Sequence, residues 1–456
     1  MKVLMVVPEI APFFKYSRLG LGENLRSLLF HLPEDVMPLM PCYSGVNYPG
    51  CTVVDSMPAL GLEVCSVSFP AGERQLLVVR PADGCFSPFT DDNIPLEQIV
   101  LFSRGVAEFV RRYPEWEIVH CHHWQTGLIP LLLRELDQAP LSLFTFHDLE
   151  VHAPLYLEDL AALRLHHDLA LHVSQIGPLS LLKLGVRFAH LLSTTSKTYA
   201  EEVRTEEHGH ELDVLLTQRQ DQLFGIMNGV RYGEWNPAKD PLIKTHYTHP
   251  EGKAAARTAL RNELRLPDAP DVPLLFYGGR LDVRHGADLM LEALPELAAM
   301  PLQLVIYGTG DDDVMLRLDD QKDAWPNVRV CLGYDEAFLH RLVAGADVHL
   351  LPSREEPGGA MHLVSLRYGA IPVASRTGGH ADAIHDLSQY GHERVNGFLF
   401  SSYYATSMLQ TVQEALDVFA EPTLWCQYMA RAMQAEWSWK DTARAYEELY
   451  ERIITL

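Results

Sequence analysis

The sequence predicts an α/β protein built from two parallel-sheet halves, and three observations predict it. Short apolar runs bounded by proline, glycine or polar turns recur along the whole chain. Helical patterns lie between many of these runs. At 456 residues the chain is too long for one hydrophobic core, and a proline-punctuated passage divides it into stretches of comparable size.

The first run, Lys2–Val7, is closed by Pro8, the pattern of a buried parallel strand. Comparable runs are Ile118–His120, Leu141–Phe146, Leu191–Thr195, Leu274–Tyr277, Gln303–Tyr307, Val328–Leu332, Val348–Leu351 and Ile371–Ala374. Ala287–Leu297 and Leu339–Ala344 carry helical spacing between them. Strands alternating with helices argue for parallel sheets covered on both faces, with ligands held beyond the carboxyl ends of the strands. Trp235-Asn236-Pro237 interrupts the pattern, and a polar stretch over 238–271 precedes a fresh strand at Pro273. This gives a first domain over 1–237 and a second over 238–438. A terminal helix follows over 439–456, with Tyr446, Leu449, Tyr450 and Ile453 at helical spacing.

The net charge of -23 repels nucleic acid and anionic membrane, so neither is an expected partner. The opening apolar run ends too early for a signal peptide, and no stretch of about 18 apolar residues could span a bilayer. A soluble, cytoplasmic protein is expected. The seven cysteines (Cys42, Cys51, Cys65, Cys85, Cys121, Cys331 and Cys426) form no CxxC pair and read as reduced thiols. His120 and His122 point the same way along a strand, but no third ligand of suitable spacing follows. These two and His123 therefore read as packing residues, and no metal is expected.

Two glycine-bearing turns carry the chemistry. Pro352-Ser353-Arg354-Glu355-Glu356-Pro357-Gly358-Gly359 follows a strand and precedes the helical pattern His362–Tyr368. Arg376-Thr377-Gly378-Gly379-His380 follows the run Ile371–Ala374. Glycines at a strand-to-helix turn leave backbone N–H groups at a helix N-terminus, where phosphate binds. One glycine pair reads as an ordinary turn. Two, with Arg280 after the Leu274–Tyr277 run, point to an anionic ligand.

Ordered motifs then run through the whole chain. Met1–Glu9 leads to Ala11-Pro12-Phe13 and Lys15. His120-Cys121-His122, Trp124-Gln125-Thr126-Gly127 and Phe144-Thr145-Phe146-His147 follow. Next come Gly225-Ile226-Met227-Asn228-Gly229-Val230 and Trp235-Asn236-Pro237. Gly279-Arg280-Leu281, Gly308-Thr309-Gly310-Asp311, Leu366-Arg367-Tyr368-Gly369 and the Arg376–Gly379 turn complete the series. In these the chain resembles the bacterial glycogen synthase and plant starch synthase family, retaining glucosyltransferases of the GT-B fold.

The resemblance implies two Rossmann-like domains facing a central cleft, with the terminal helix crossing back to the first. It implies transfer of glucose from ADP-glucose to the non-reducing end of an α-1,4-glucan with retention of configuration, without cofactor or metal. Catalytic roles pass to His147, which hydrogen-bonds the sugar, to Arg280, which neutralises the departing diphosphate, and to Glu356, near the ribose and transferred sugar. Gly358, Gly359 and Ala360 cradle the diphosphate, and Thr377, Gly378 and Gly379 form the second turn. Lys15 reaches the diphosphate from the first domain, while Asn228 and Asp92 touch the sugar or shape its pocket.

The departures from the family cluster at the donor. Its Lys-Thr-Gly-Gly-Leu-Ala-Asp loop reads Lys15-Tyr16-Ser17-Arg18-Leu19-Gly20-Leu21, which removes two glycines and offers Arg18 to a phosphate. His285, with Arg284 beside it, stands for a lysine, Met361 for a hydroxyl residue, Arg231 for an aspartate and His123 for the acid of His-Asp-Trp. Three readings follow: a glucan synthase with a rearranged phosphate grip, a transferase with another donor or a smaller phosphorylated acceptor, or a non-catalytic glucan-binding or regulatory homologue. A phosphorylase-type protein would need a lysine for pyridoxal phosphate, and no segment resembles one. A dehydrogenase would need GxGxxG after the first strand, where Pro8-Glu9 stands.

Overall fold

The structure is a computed structural model that describes residues 1–15, 20–72 and 74–456. The chain forms two compact units, Met1–Gly229 with Trp439–Leu456, and Val230–Ser438.

The first unit is built on a nine-stranded sheet. Its strands are β1 (Val3–Val6), β2 (Val36–Pro41), β3 (Thr52–Met57), β4 (Leu62–Ser68), β5 (Gln75–Pro81), β6 (Ile118–His122), β7 (Leu141–Thr145), β8 (Leu191–Thr194) and β9 (Leu223–Gly225). Their order across the sheet is β9-β8-β7-β6-β1-β2-β5-β4-β3. β1 lies at the centre, parallel to β2 and β6, and all four of its residues are buried, as its unbroken apolar run demands. β4 is antiparallel to both β3 and β5, so the sheet turns mixed only at this edge.

The helix Trp439–Ile454 belongs to this unit and sinks Trp439, Ala443, Tyr446, Leu449, Tyr450 and Ile453 into its core. Polar contacts fix its register. Thr442 Oγ1 donates to the Met227 carbonyl at 2.8 Å, and the Tyr450 hydroxyl meets His120 Nδ1 at 2.7 Å. His120 Nε2 meets Thr145 Oγ1 at 2.7 Å, so both ring nitrogens of this buried histidine have protein partners. Tyr450→Phe would leave Nδ1 buried and unpaired, at a cost of about 1–3 kcal/mol. The expected result is a melting temperature a few degrees lower, and an unchanged melt would contradict this account of the helix.

The second unit carries a six-stranded, wholly parallel sheet. Its strands are β10 (Leu274–Leu281), β11 (Gln303–Gly310), β12 (Val328–Leu332), β13 (Val348–Leu351), β14 (Ile371–Ser375) and β15 (Phe398–Phe400), in the order β12-β11-β10-β13-β14-β15. β10 runs four residues past its apolar run, because Gly278–Leu281 keeps pairing with Tyr307–Gly310. Arg280 is therefore a strand residue. The helical runs of this unit appear as Ala287–Ala299 and Glu336–Gly345, the latter capped by Asp335, which accepts the Phe338 N–H at 3.1 Å. Among the described residues, no helix is long and apolar enough to cross a membrane.

Candidate active site

In the second unit the neighbouring strands β10, β13 and β14 deliver their carboxyl ends side by side, where parallel sheets hold ligands. Asp282 organises the end of β10. Its carboxylate accepts Arg280 Nε–H at 2.8 Å, His285 Nδ1–H at 2.6 Å and the His285 backbone N–H at 2.9 Å. Burial alone would raise the Asp282 carboxyl, but the His285 hydrogen bonds and the Arg280 charge outweigh it and hold its pKa below the usual carboxylate value. With Nδ1 committed to Asp282, Nε2 is the His285 nitrogen available to a ligand.

The turn after β13 is knitted to the turn after β14 through Glu356. The Glu356 carboxylate accepts the Gly359 N–H at 2.7 Å and the Ser353 hydroxyl at 3.4 Å. Its backbone carbonyl accepts the Gly379 N–H at 2.8 Å. Gly378 lies against that same carbonyl, with φ at 41°, and a Cβ there would sit 1.9 Å from the oxygen. Only glycine lets the two turns meet this closely. Glu355, beside Glu356 in sequence, faces Arg284 at 3.8 Å. Gly358, Gly359, Ala360, Thr377, Gly378 and Gly379 are thus gathered around Glu356, next to the strand end that carries Arg280, Asp282 and His285.

Beneath this surface lie three buried histidines. His380 Nε2 is 3.6 Å from Glu356 Oε2, His362 packs against His380 with ring centroids 5.0 Å apart, and His349 Nδ1 meets Ser365 Oγ at 2.6 Å. Among the described residues, no group of three or more His, Cys, Asp or Glu is arranged to hold a metal ion.

In the first unit the proposed ligand groups also follow strand ends. Lys15 lies beyond β1 and is ion-paired with Glu23. The helix Leu21–His31 that follows is anchored by Glu9, whose carboxylate accepts the Gly22 N–H at 2.8 Å. Gly20, at φ 72°, supplies the left-handed residue before that helix, so the loop keeps a glycine even though its pair is displaced. Arg18, with Tyr16, Ser17 and Leu19, lies outside the described residues.

Beyond β5 and a short turn comes Asp92, exposed, beside Asp91, which accepts the indole N–H of buried Trp124 at 3.1 Å. Beyond β7 comes half-buried His147, whose Nε2 is 3.3 Å from His122 Nδ1. His123 adopts φ 68°, ψ 170°, a conformation costing a side-chain-bearing residue about 1–3 kcal/mol, and its N–H is held by the Thr145 carbonyl at 2.8 Å. Asn228 is half-buried next to Met227, whose carbonyl receives the terminal helix.

Burial keeps His120, His122, His147, His349 and His362 neutral, with neighbouring histidines adding to the effect at each. Below about pH 6.5 the unfolded chain takes up protons that these native rings refuse. Their contribution to stability is complete above that pH and falls as acid is added, down to each native value, about 3 for His120. The expected result is a melting temperature that drops steadily between about pH 6.5 and 5, above the range where carboxylates titrate. A flat profile in that window would contradict it.

Comparison with known proteins bears on this geometry. Residues 2–218 match the starch synthase catalytic domain, and residues 258–419 match glycosyl transferases group 1. A glycogen synthase of Geotalea uraniireducens (strain Rf4) is 33% identical over 99% of this chain and 98% of its own length. The chain belongs to the glycogen synthase family. Another member, from Geobacillus thermodenitrificans (strain NG80-2), is 32% identical over 100% of this chain and 98% of its own length. Among solved structures, the catalytic domain of starch synthase IV from Arabidopsis thaliana, bound to ADP and acarbose, superposes with a TM-score of 0.84. It is 24% identical and covers 100% of this chain and 99% of that one, which makes the fold GT-B. Sucrose-phosphate synthase from Thermosynechococcus elongatus shares the architecture more distantly, with a TM-score of 0.59 and 19% identity over 100% of this chain and 99% of that one. The family is one of glycosyltransferases, and this chain is a glucosyltransferase of the glycogen and starch synthase type.

Reading the residues alone missed Asp282, which holds Arg280 and His285 in the second unit, and Glu9, which anchors the helix Leu21–His31 in the first. The signal for Asp282 was present: an acid between Arg280 and His285, two and three residues from each.

Proposed function

We propose that this protein transfers glucose from ADP-glucose to the non-reducing end of an α-1,4-glucan with retention of configuration. The observation that carries the reading is the seam at Glu356, where two glycine turns close beside the strand end bearing Arg280. That arrangement supports a leaving group with several anionic oxygens.

In the proposed reaction the bond from the anomeric carbon to the diphosphate oxygen breaks. A bond to the acceptor hydroxyl oxygen forms on the same face, and the hydroxyl proton passes to the departing phosphate. Arg280, with His285, meets the charge that develops on the diphosphate. The turns Gly358–Ala360 and Thr377–Gly379 line its pocket, where the Gly359 and Gly379 N–H groups fix the turns on Glu356 rather than meeting the phosphates themselves, and Glu356 holds the ribose and sugar. His147, neutral through burial, serves as a hydrogen-bond partner of the sugar rather than as an acid. Lys15 and Arg18 supply further positive charge, and Asp92 and Asn228 shape the sugar pocket.

The test is incubation with ADP-glucose and glycogen, following ADP release. Release that depends on glycogen supports the reading. Release without glycogen points to another acceptor or to hydrolysis, and no release combined with retention on a glucan column points to a binding protein.

A further inference from the structure

We propose that Cys42 and Cys85 form a reversible thiol–disulfide site, closed by small-molecule disulfides and opened by thiols. The two sulfurs stand 3.4 Å apart although 43 positions separate them in sequence. Forming the bond requires them to approach by roughly another 1.3 Å.

The backbone holds them in this relation. Cys42 directly follows β2, and Cys85 lies shortly after β5, its parallel neighbour. Pairing continues past both strand ends. The Cys42 N–H donates to the Val79 carbonyl, the Phe86 N–H to the Cys42 carbonyl and the Ser44 N–H to the Phe86 carbonyl, each at 2.8 Å. Hydrogen bonds therefore bracket both cysteines, and their proximity does not depend on a mobile tail.

The two thiols differ in access, which sets their order of reaction. Cys85 is exposed and Cys42 is buried. Burial, followed by the contact with Cys85, pushes the Cys42 thiol far up, so Cys42 is not the group that meets the oxidant first. The Cys85 thiolate attacks one sulfur of the small disulfide and expels one thiolate, leaving a mixed disulfide on Cys85. Cys42 then loses its proton and attacks Cys85 Sγ, expelling the second thiolate. Two protein thiols become one disulfide, one small disulfide becomes two thiols, and the two protons pass to the expelled thiolates.

Closure ties together two segments of the first unit. Tyr43, next to Cys42, packs against Phe14 and Phe89 with ring centroids 4.3 and 5.3 Å apart. Phe86, next to Cys85, packs against the same Phe89 at 5.7 Å. The crosslink therefore restrains the turn that bears Asp91 and Asp92. Cys51 and Cys65 lie in the same neighbourhood, and they are the alternative partners that a test must separate.

The experiment treats the native full-length protein with glutathione disulfide, alkylates the remaining thiols and maps the cysteines by mass spectrometry. The expected product is a Cys42–Cys85 crosslinked peptide, lighter by two hydrogens than the reduced pair and opened again by dithiothreitol. Cys85→Ser should form no such peptide, and the oxidised wild type should show slower amide exchange across residues 82–93. A glutathione adduct persisting on Cys85 with Cys42 still reduced would overturn the proposal. So would a crosslink joining Cys51 to Cys65 or to Cys85 in its place. None of these readouts uses catalytic activity, so the result stands apart from the donor chemistry proposed above.

Discussion

Arg280→Ala is expected to lower kcat for glucosyl transfer by about 10²–10³, with a much smaller change in the acceptor KM. The reason lies in how the guanidinium is held. It is a β10 residue fixed by Asp282, and β10 lies beside β13, whose glycine turn meets the one that follows β14. A cation held in place before the reaction stabilises the charge of a departing diphosphate without reorganising when the bond breaks. A flexible surface arginine would give little. Steady-state kinetics with ADP-glucose and glycogen decide the matter, and a change of less than about threefold in kcat would remove Arg280 from the catalytic account.

Gly378→Ala should be nearly as damaging, although it alters no charged group. The added methyl would lie 1.9 Å from the Glu356 carbonyl oxygen, and the residue would have to keep φ at 41°. The two turns must part, which breaks the Gly379-to-Glu356 hydrogen bond and shifts the carboxylate that holds Gly359. Displacement of about 1 Å near a reacting centre costs on the order of 10²-fold, so kcat/KM should fall by about that factor. Gly233→Ala, in the same unit, is the control, since a Cβ there meets nothing within 4 Å. Equal activity in the two variants would mean that the seam at Glu356 does not position the reaction.

Five of the six strands of the second unit's sheet were readable as mainly apolar runs, which a parallel sheet covered on both faces favours, whereas Phe398–Phe400 is buried but only three residues long, too short to stand out. The side of the first sheet from β2 out to β3 was not legible. Thr52–Met57 is mostly exposed, and Val36–Pro41 carries Pro38 and Pro41, which read as breakers when the strand partners are unseen.

The site divided in the same way. Glycines and charged residues at strand ends announce themselves, so Arg280, Glu356 and Gly378 were identifiable one by one. The joining of the two glycine turns through the Glu356 carbonyl was not, since it depends on which strands are neighbours. The contact between Cys42 and Cys85 was hidden for the same reason: spacing in sequence says nothing of β2 lying beside β5. His285 looked like a weakened lysine from its charge alone, whereas its geometry shows a ring fixed by an aspartate.

The central claim is that this chain moves glucose from ADP-glucose to a glucan with retention. The most direct measurement is proton NMR of the product formed from ADP-glucose and a short α-1,4-glucan, read together with ADP release. The account predicts a new α-linked glucosyl residue at the non-reducing end and one ADP released for each residue added. A β-linked product, or no extension of the glucan while the donor is consumed, would contradict it.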